Sequence, residues 1–131
     1  MSVIPDSHAD ILDSKGFAHL ASIGPDGEPQ SHPVWFDTAD GRIRISTTKA
    51  RQKYRNLQNE PRVSLSILDP ENPYRYLEVR GRVAAVEDDP DDAFINSLAK
   101  KYMDQDEYPL SQPGDERVIF VIEPVHATTM G

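Results

Sequence analysis

The sequence predicts a mainly β, α+β fold in which six antiparallel strands form a small closed or split β-barrel with flanking helices. Six segments alternate apolar with small or polar side chains, the period of a half-buried strand. Clusters of Pro, Asp, Asn and Gly separate several of them by only a few residues, and such short connections join antiparallel neighbours. Strands and helices do not alternate and no Gly-x-Gly-x-x-Gly occurs, which argues against a doubly wound parallel sheet. Consecutive antiparallel strands must cover their edges, and curling into a barrel does so.

Residues 6–15 read as a short helix with an acidic first turn, stopped at Gly16. Phe17–Ile23 and Gln30–Asp37 are strands joined through the turn Pro25-Asp26-Gly27. Asp40-Gly41 turns the chain into a strand over Arg42–Thr47, and a helix follows over Lys49–Asn59, ended by Pro61. Arg62–Leu68 alternates strictly, Asp69–Pro73 is a turn cluster, and Tyr76–Val86 is a long strand with a bulge or bend at Gly81. Asp89–Met103 carries Phe94, Ile95, Leu98 and Tyr102 at helical spacing, behind an acidic first turn. A polar loop over 104–114 leads to a last strand, Val118–Ile122.

The 131 residues predict one domain, 1–131, large enough for a single core. No apolar run approaches the ~18 residues of a membrane helix, and Met1–Asp6 lacks the signature of a secretory signal. The absence of cysteine excludes disulfides and thiolate chemistry and fits a cytoplasmic protein. A net charge of −8 disfavours nucleic acid and anionic membranes as partners. The distribution is uneven: ten of the fourteen Lys and Arg lie between Arg42 and Arg82 against four carboxylates, a net of +6. A solvated basic surface and a local anionic ligand both account for this.

Ser46-Thr47-Thr48, placed at the first turn of the helix with Arg51, Lys53 and Arg55 behind them, form a phosphate signal. Pro33 belongs on a strand edge, where backbone groups can face a ligand. Trp35, the sole tryptophan, is either core or a flat wall for a ring system. Asn72-Pro73-Tyr74-Arg75-Tyr76 reads equally as a stacking, anion-binding rim and as an oligomer contact. His8, His19, His32 and His126 show no metal-ligand spacing, and Ser31-His32 lacks a nucleophile elbow. No metal site is expected, and no catalytic residue is identified.

Gly27-Glu28-Pro29-Gln30, Pro33-Val34-Trp35-Phe36, Thr47-Thr48-Lys49-x-Arg51-x-Lys53-x-x-Asn56-Leu57, Pro61-Arg62-Val63 and Asn72–Tyr76 with Val79-Arg80-Gly81 resemble one family. It is the pyridoxamine 5'-phosphate oxidase-like, FMN-binding split-barrel family, in its deazaflavin (F420)-dependent oxidoreductase branch. The resemblance implies a homodimer with cofactor sites at the dimer interface. It implies that Ser46, Thr47, Thr48, Arg51 and Lys53 hold the cofactor phosphate and that Asn56 supports their helix. Backbone around Gln30, Pro33 and Val34 would face the ring, beside the wall that Trp35 could offer, and Tyr74 and Tyr76 would close the pocket from the second subunit. The tail Val125–Gly131 lacks the Trp-containing segment of many relatives. The expected activity is hydride transfer from reduced F420 to a conjugated organic acceptor. Alternatives are an FMN-dependent oxidoreductase on the same fold and a non-catalytic flavin-, deazaflavin- or haem-binding protein. Hydride transfer is cofactor chemistry, so the lack of an acid–base constellation agrees with it.

Overall fold

The structure is a computed structural model and describes residues 3–131. A 3₁₀ helix (Asp6–Asp13) is followed by β1 (Ala18–Ile23), β2 (Pro29–Val34), β3 (Asp37–Ala39), β4 (Arg42–Thr48), α1 (Gln52–Asn59), β5 (Arg62–Asp69), β6 (Asn72–Asp88), α2 (Ala93–Met103) and β7 (Arg117–Met130). The strands form one antiparallel sheet in the order β2-β1-β5-β6-β7-β4-β3.

The sheet therefore has seven strands rather than six, and its ladder does not close into a barrel. The predicted strand Gln30–Asp37 is in fact two. Pro29–Val34 pairs with β1, whereas Asp37–Ala39 pairs with β4 at the opposite edge. Between them Phe36 is fully buried in the core, which takes the chain across the interior. A flat seven-stranded sheet would hold its edges roughly 29 Å apart. Three Cα–Cα steps from Val34 to Asp37 span at most about 11 Å. The sheet must curl until β2 and β3 face one another across an open seam. Pro33 lies on the β2 edge, as expected of a residue with no N–H to donate.

β7 is the spine of the structure. Val118, Phe120 and Ile122 point into the curled sheet with Leu20, Ile43, Ile45, Leu65, Ile67 and Leu77. Ile119 and Val121 point outward beneath Phe94, Ile95 and Leu98 of α2. Both faces are covered, so five consecutive residues are buried and the period of two disappears. The strand also continues eight residues past the predicted end, because Glu123–Met130 pairs with β6. Pro124 is tolerated there: β4 pairs only with Arg117–Ile122, leaving that side of β7 free, and Pro124 faces the bulge at Arg80/Gly81. The bulge expected at Gly81 is present. A Cβ there would collide with the Glu123 carbonyl oxygen.

The two α-helices start later than predicted, whereas the first helix begins at Asp6 as expected. Residues 49–51 turn rather than coil, with the Arg51 N–H donating to the Thr48 carbonyl, and α1 begins at Gln52. Asp89 stands before α2 and its carboxylate accepts the Phe94 and Ile95 N–H groups at 3.1 and 3.2 Å. Arg75 ties the 3₁₀ helix to the sheet by bonding Asp10, Asp69 and the Ser7 carbonyl. It is thus committed to structure and does not form the anion-binding rim considered for Asn72–Tyr76. No described helix is long and apolar enough to cross a membrane.

Candidate functional site

A cavity of about 230 Å³ opens at the seam. Pro33, Val34 and Trp35 line it from the β2 edge, Ser46 and Thr47 from the end of β4, and Arg51 and Lys53 from the start of α1. Ile95 and Leu98 of α2 face them, with Phe17, Tyr108 and Arg117 completing the wall. The hydroxyls of Ser46 and Thr47 lie on a strand and not in the helix's first turn. β4–β7 pairing extends to Thr48 and Arg117, and β-branched Thr suits that ladder.

Unsatisfied polarity concentrates here. Thr47 is buried with no partner for Oγ1, and the largely enclosed side chain of Arg117 has no partner for Nε. The other Arg117 contacts are long: Nη1 donates to Ser46 Oγ at 3.3 Å, and Nη2 lies 4.0 Å from Asp115 Oδ2. A buried guanidinium held only by such long contacts is under-compensated, and an anion arriving beside it would offset that cost. Of the ten cations between Arg42 and Arg82, six are ion-paired: Arg42, Arg44, Lys49, Arg62, Arg75 and Arg80. Among the described residues Arg51, Lys53, Arg55 and Arg82 have no carboxylate within the 4.0 Å of an ion pair, and two of these four line the cavity. The central positive charge is mostly neutralised, and what remains is local. Burial, with a smaller push from Arg51, lowers the Lys53 amine to about 8.

The opposite side is aromatic. Trp35 stacks on Tyr102 at 5.1 Å between ring centres and meets Tyr108 edge-on at 5.8 Å. Trp35 therefore serves both readings given above, being packed against the α2 cluster and exposed to the cavity. Tyr102 is fixed by donating to the Gly16 carbonyl at 2.8 Å, and burial pushes its phenol up to about 12.

Seven of the twelve expected site residues meet in this wall: Pro33, Val34, Trp35, Ser46, Thr47, Arg51 and Lys53. Thr48 is buried outside it. Gln30 and Asn56 form a clamp instead. Asn56 Nδ2 donates to Gln30 Oε1 at 2.9 Å and to Ser22 Oγ at 3.2 Å, while Asn56 Oδ1 accepts from Gln52 Nε2 at 2.8 Å. This holds α1 to β1 and β2. Tyr74 and Tyr76 begin β6, apart from the cavity, with Tyr74 81% exposed.

Sequence reasoning missed Phe17, Ile95, Leu98, Tyr108 and Arg117. Two had a readable signal. Arg117 is the cation that opens the most continuously apolar strand, and Tyr108 is an aromatic inside a polar loop. The histidines stand apart from the cavity lining. His8 contacts Ser7 and the Met130 carbonyl, His19 contacts the Ser66 carbonyl, and His32 stands opposite Leu20 in the β1–β2 ladder. The described lining carries cations, hydroxyls and aromatic rings but no carboxylate. Such a wall has the chemistry to accommodate an anion and a planar ring, and it offers neither a carboxylate nor an imidazole as a general base.

A family model described as pyridoxamine 5'-phosphate oxidase matches residues 4–131. Among solved structures the chain is similar to an F420 reductase at 40% identity, covering 95% of this chain and 98% of that one with a TM-score of 0.86. It is similar to a conserved hypothetical protein from Mycobacterium tuberculosis at 26% identity, over 98% and 86% of the two chains, with a TM-score of 0.75. It shares its fold with the haem storage protein of Vibrio cholerae at 15% identity, over 100% and 96%, with a TM-score of 0.67. No curated protein matches the sequence.

Proposed function

This chain belongs to the pyridoxamine 5'-phosphate oxidase family, and on that premise we propose that it is an F420-dependent oxidoreductase that delivers a hydride to a conjugated organic acceptor. The oxidoreductase role is supported by the family and by the similar F420 reductase. One observation carries the placement: cations without carboxylate partners and buried polar atoms without partners share one cavity with a stacked aromatic wall. A cofactor joining a phosphate to a planar ring fits both halves.

Arg51 and Lys53 hold the phosphate, with Ser46, Thr47 and Arg117 at its inner side. The β2 backbone at Pro33 and Val34 faces the ring, and Trp35 limits its tilt. The bound deazaflavin supplies the hydride; the chain binds, orients and excludes water. A cavity of about 230 Å³ is smaller than the ~300–1,000 Å³ of ordinary ligand sites. The small volume is in keeping with a site completed by a second copy, and on the family resemblance we infer a homodimer in which Tyr74 and Tyr76 of that copy close the pocket. FMN in the same place is the second reading, since a terminal phosphate meets the same cations.

Fluorescence titration of the apo-protein with F420, beside FMN, tests this. F420 binding at micromolar or tighter levels with weak FMN binding supports the proposal. The reverse preference assigns the site to FMN, and binding of neither overturns the cofactor reading altogether.

A further inference from the structure

Tyr102 does not line the cavity, yet it touches two of the rings that do. Its ring lies nearly parallel to that of Trp35, at 5.1 Å between centres and 5° between planes, and meets that of Phe17 at 5.5 Å and 49°. Its hydroxyl reaches the main chain beside each of them. It donates to the carbonyl of Gly16, the residue before Phe17, at 2.8 Å, and accepts from the N–H of Phe36, the residue after Trp35, at 3.3 Å. One hydroxyl can do both, having one proton and two lone pairs. Phe17 precedes β1, and Trp35 and Phe36 lie between β2 and β3, so no strand ladder fixes either point of the chain. Lys101 reinforces the second junction: its Nζ donates to the Phe36 carbonyl at 2.8 Å and lies 4.9 Å from the centre of the Tyr102 ring.

We propose that Tyr102 is the positioning residue of the aromatic half of the site, setting the plane of Trp35 and the place of Phe17 without touching the bound molecule. This rests on the reading above that the cavity holds a phosphate-bearing ring cofactor. Two observations separate this role from ordinary packing. Each cavity ring is gripped twice, ring to ring and through its neighbour's main chain, so neither can turn while both grips hold. Phe17 is also 52% exposed, so burial in a core does not keep it in place. Among the described residues no hydrogen bond or ring contact joins Tyr102 to Ser46, Thr47, Arg51, Lys53 or Arg117. Tyr102 therefore governs the fit to the ring and not the hold on the phosphate.

Trp35 is the sole tryptophan, so its fluorescence reports on this ring alone. Tyr102→Leu removes both the stack and the hydroxyl, whereas Tyr102→Phe keeps the stack. Each variant is titrated with F420, FMN and glycerol 3-phosphate, the last by displacement of whichever cofactor binds. Acrylamide quenching of the apo-proteins and thermal unfolding are measured alongside. Tyr102→Leu should lose about tenfold in affinity for the ring cofactor. It should keep the glycerol 3-phosphate affinity of the unmodified chain and leave Trp35 more open to quenching. Tyr102→Phe should recover most of the cofactor affinity, falling short by about threefold. Where Tyr102→Leu is unfolded at the assay temperature, the same comparison of ring-bearing with ring-free ligand on Tyr102→Phe decides. Equal losses for the two kinds of ligand, or unchanged cofactor affinity in the folded variants, overturn the positioning role and leave the cofactor site standing. If neither F420 nor FMN binds the unmodified chain, the cofactor reading itself fails, and this inference with it.

Discussion

The Arg117 guanidinium lies 4.8 Å from the centre of the Tyr108 ring, and its side chain is 8% exposed. Tyr108 in turn meets Trp35 edge-on, and its N–H donates to Asn96 Oδ1 at 2.8 Å. One cation therefore joins the loop over 104–116, the end of β4 and the aromatic wall. The nearest carboxylate in an ion pair with it, Asp115, stands 4.0 Å from Nη2, at the outer limit of such a pair.

Replacing Arg117 by Met separates binding from folding. The loss of a charge-assisted contact should weaken F420 or FMN binding by about 1.5–3 kcal/mol, roughly 10- to 150-fold. Thermal stability should hold or rise, because an apolar side chain removes an under-compensated buried charge. Calorimetry beside ligand titration reads both. A lowered Tm with unchanged affinity would make Arg117 structural.

Lys53 predicts a pH dependence of defined sign. Its folded value of about 8 lies below the ordinary 10.5. In the apo-protein the burial penalty on the charged amine is fully present below about pH 8 and is relieved as pH rises toward 10.5, so this residue adds stability with rising pH in that window. A bound anion favours the charged amine, so affinity should be full below about pH 8 and fall above it. Titrations at about pH 7 and about pH 9 check this, and Lys53→Arg should flatten the difference. Lys53→Ala should cost about 2 kcal/mol of binding at neutral pH.

Asn56→Ala removes bonds to Ser22, Gln30 and Gln52 at one stroke. It should destabilise by about 2 kcal/mol, lowering Tm by roughly 5–10 °C. Ligand affinity should fall with it as α1 loosens from β2. An Asn56→Ala protein with normal Tm and poor binding would place Asn56 in direct contact with the ligand.

Asp89→Ala strips the carboxylate from two amides at the start of α2. A loss of about 1–2 kcal/mol is expected in denaturant unfolding. Asp89→Asn should recover part of it, since one amide oxygen can still accept. An unchanged midpoint for Asp89→Ala would mean that solvent satisfies these groups instead.

Strands were legible where one face meets the core and the other meets solvent. β5 shows this, with Val63, Leu65 and Ile67 buried between half-buried serines. The division of the second strand was not legible, because Trp35-Phe36 continues its apolar run while the chain changes sheet edges. Nor was the length of β7: Glu123–Met130 is mostly exposed, and its partner strand is distant in sequence. In the site, the cations Arg51 and Lys53 were readable because they stand together in an acidic protein. Their aromatic counterpart was not, since Phe17, Tyr108 and α2 converge only through tertiary packing.

The two-residue link between β2 and β3 also bears on how a ligand gets in. Its ends belong to opposite edges of the sheet, so the aperture at the seam is limited by covalent chain length. Sliding the edges apart would require β2 or β3 to leave its ladder. Entry and exit are left to the rim outside those ladders, above all the loop over 104–116, which meets the cavity wall through Tyr108. The residence time of a bound molecule should therefore follow the opening rate of that loop.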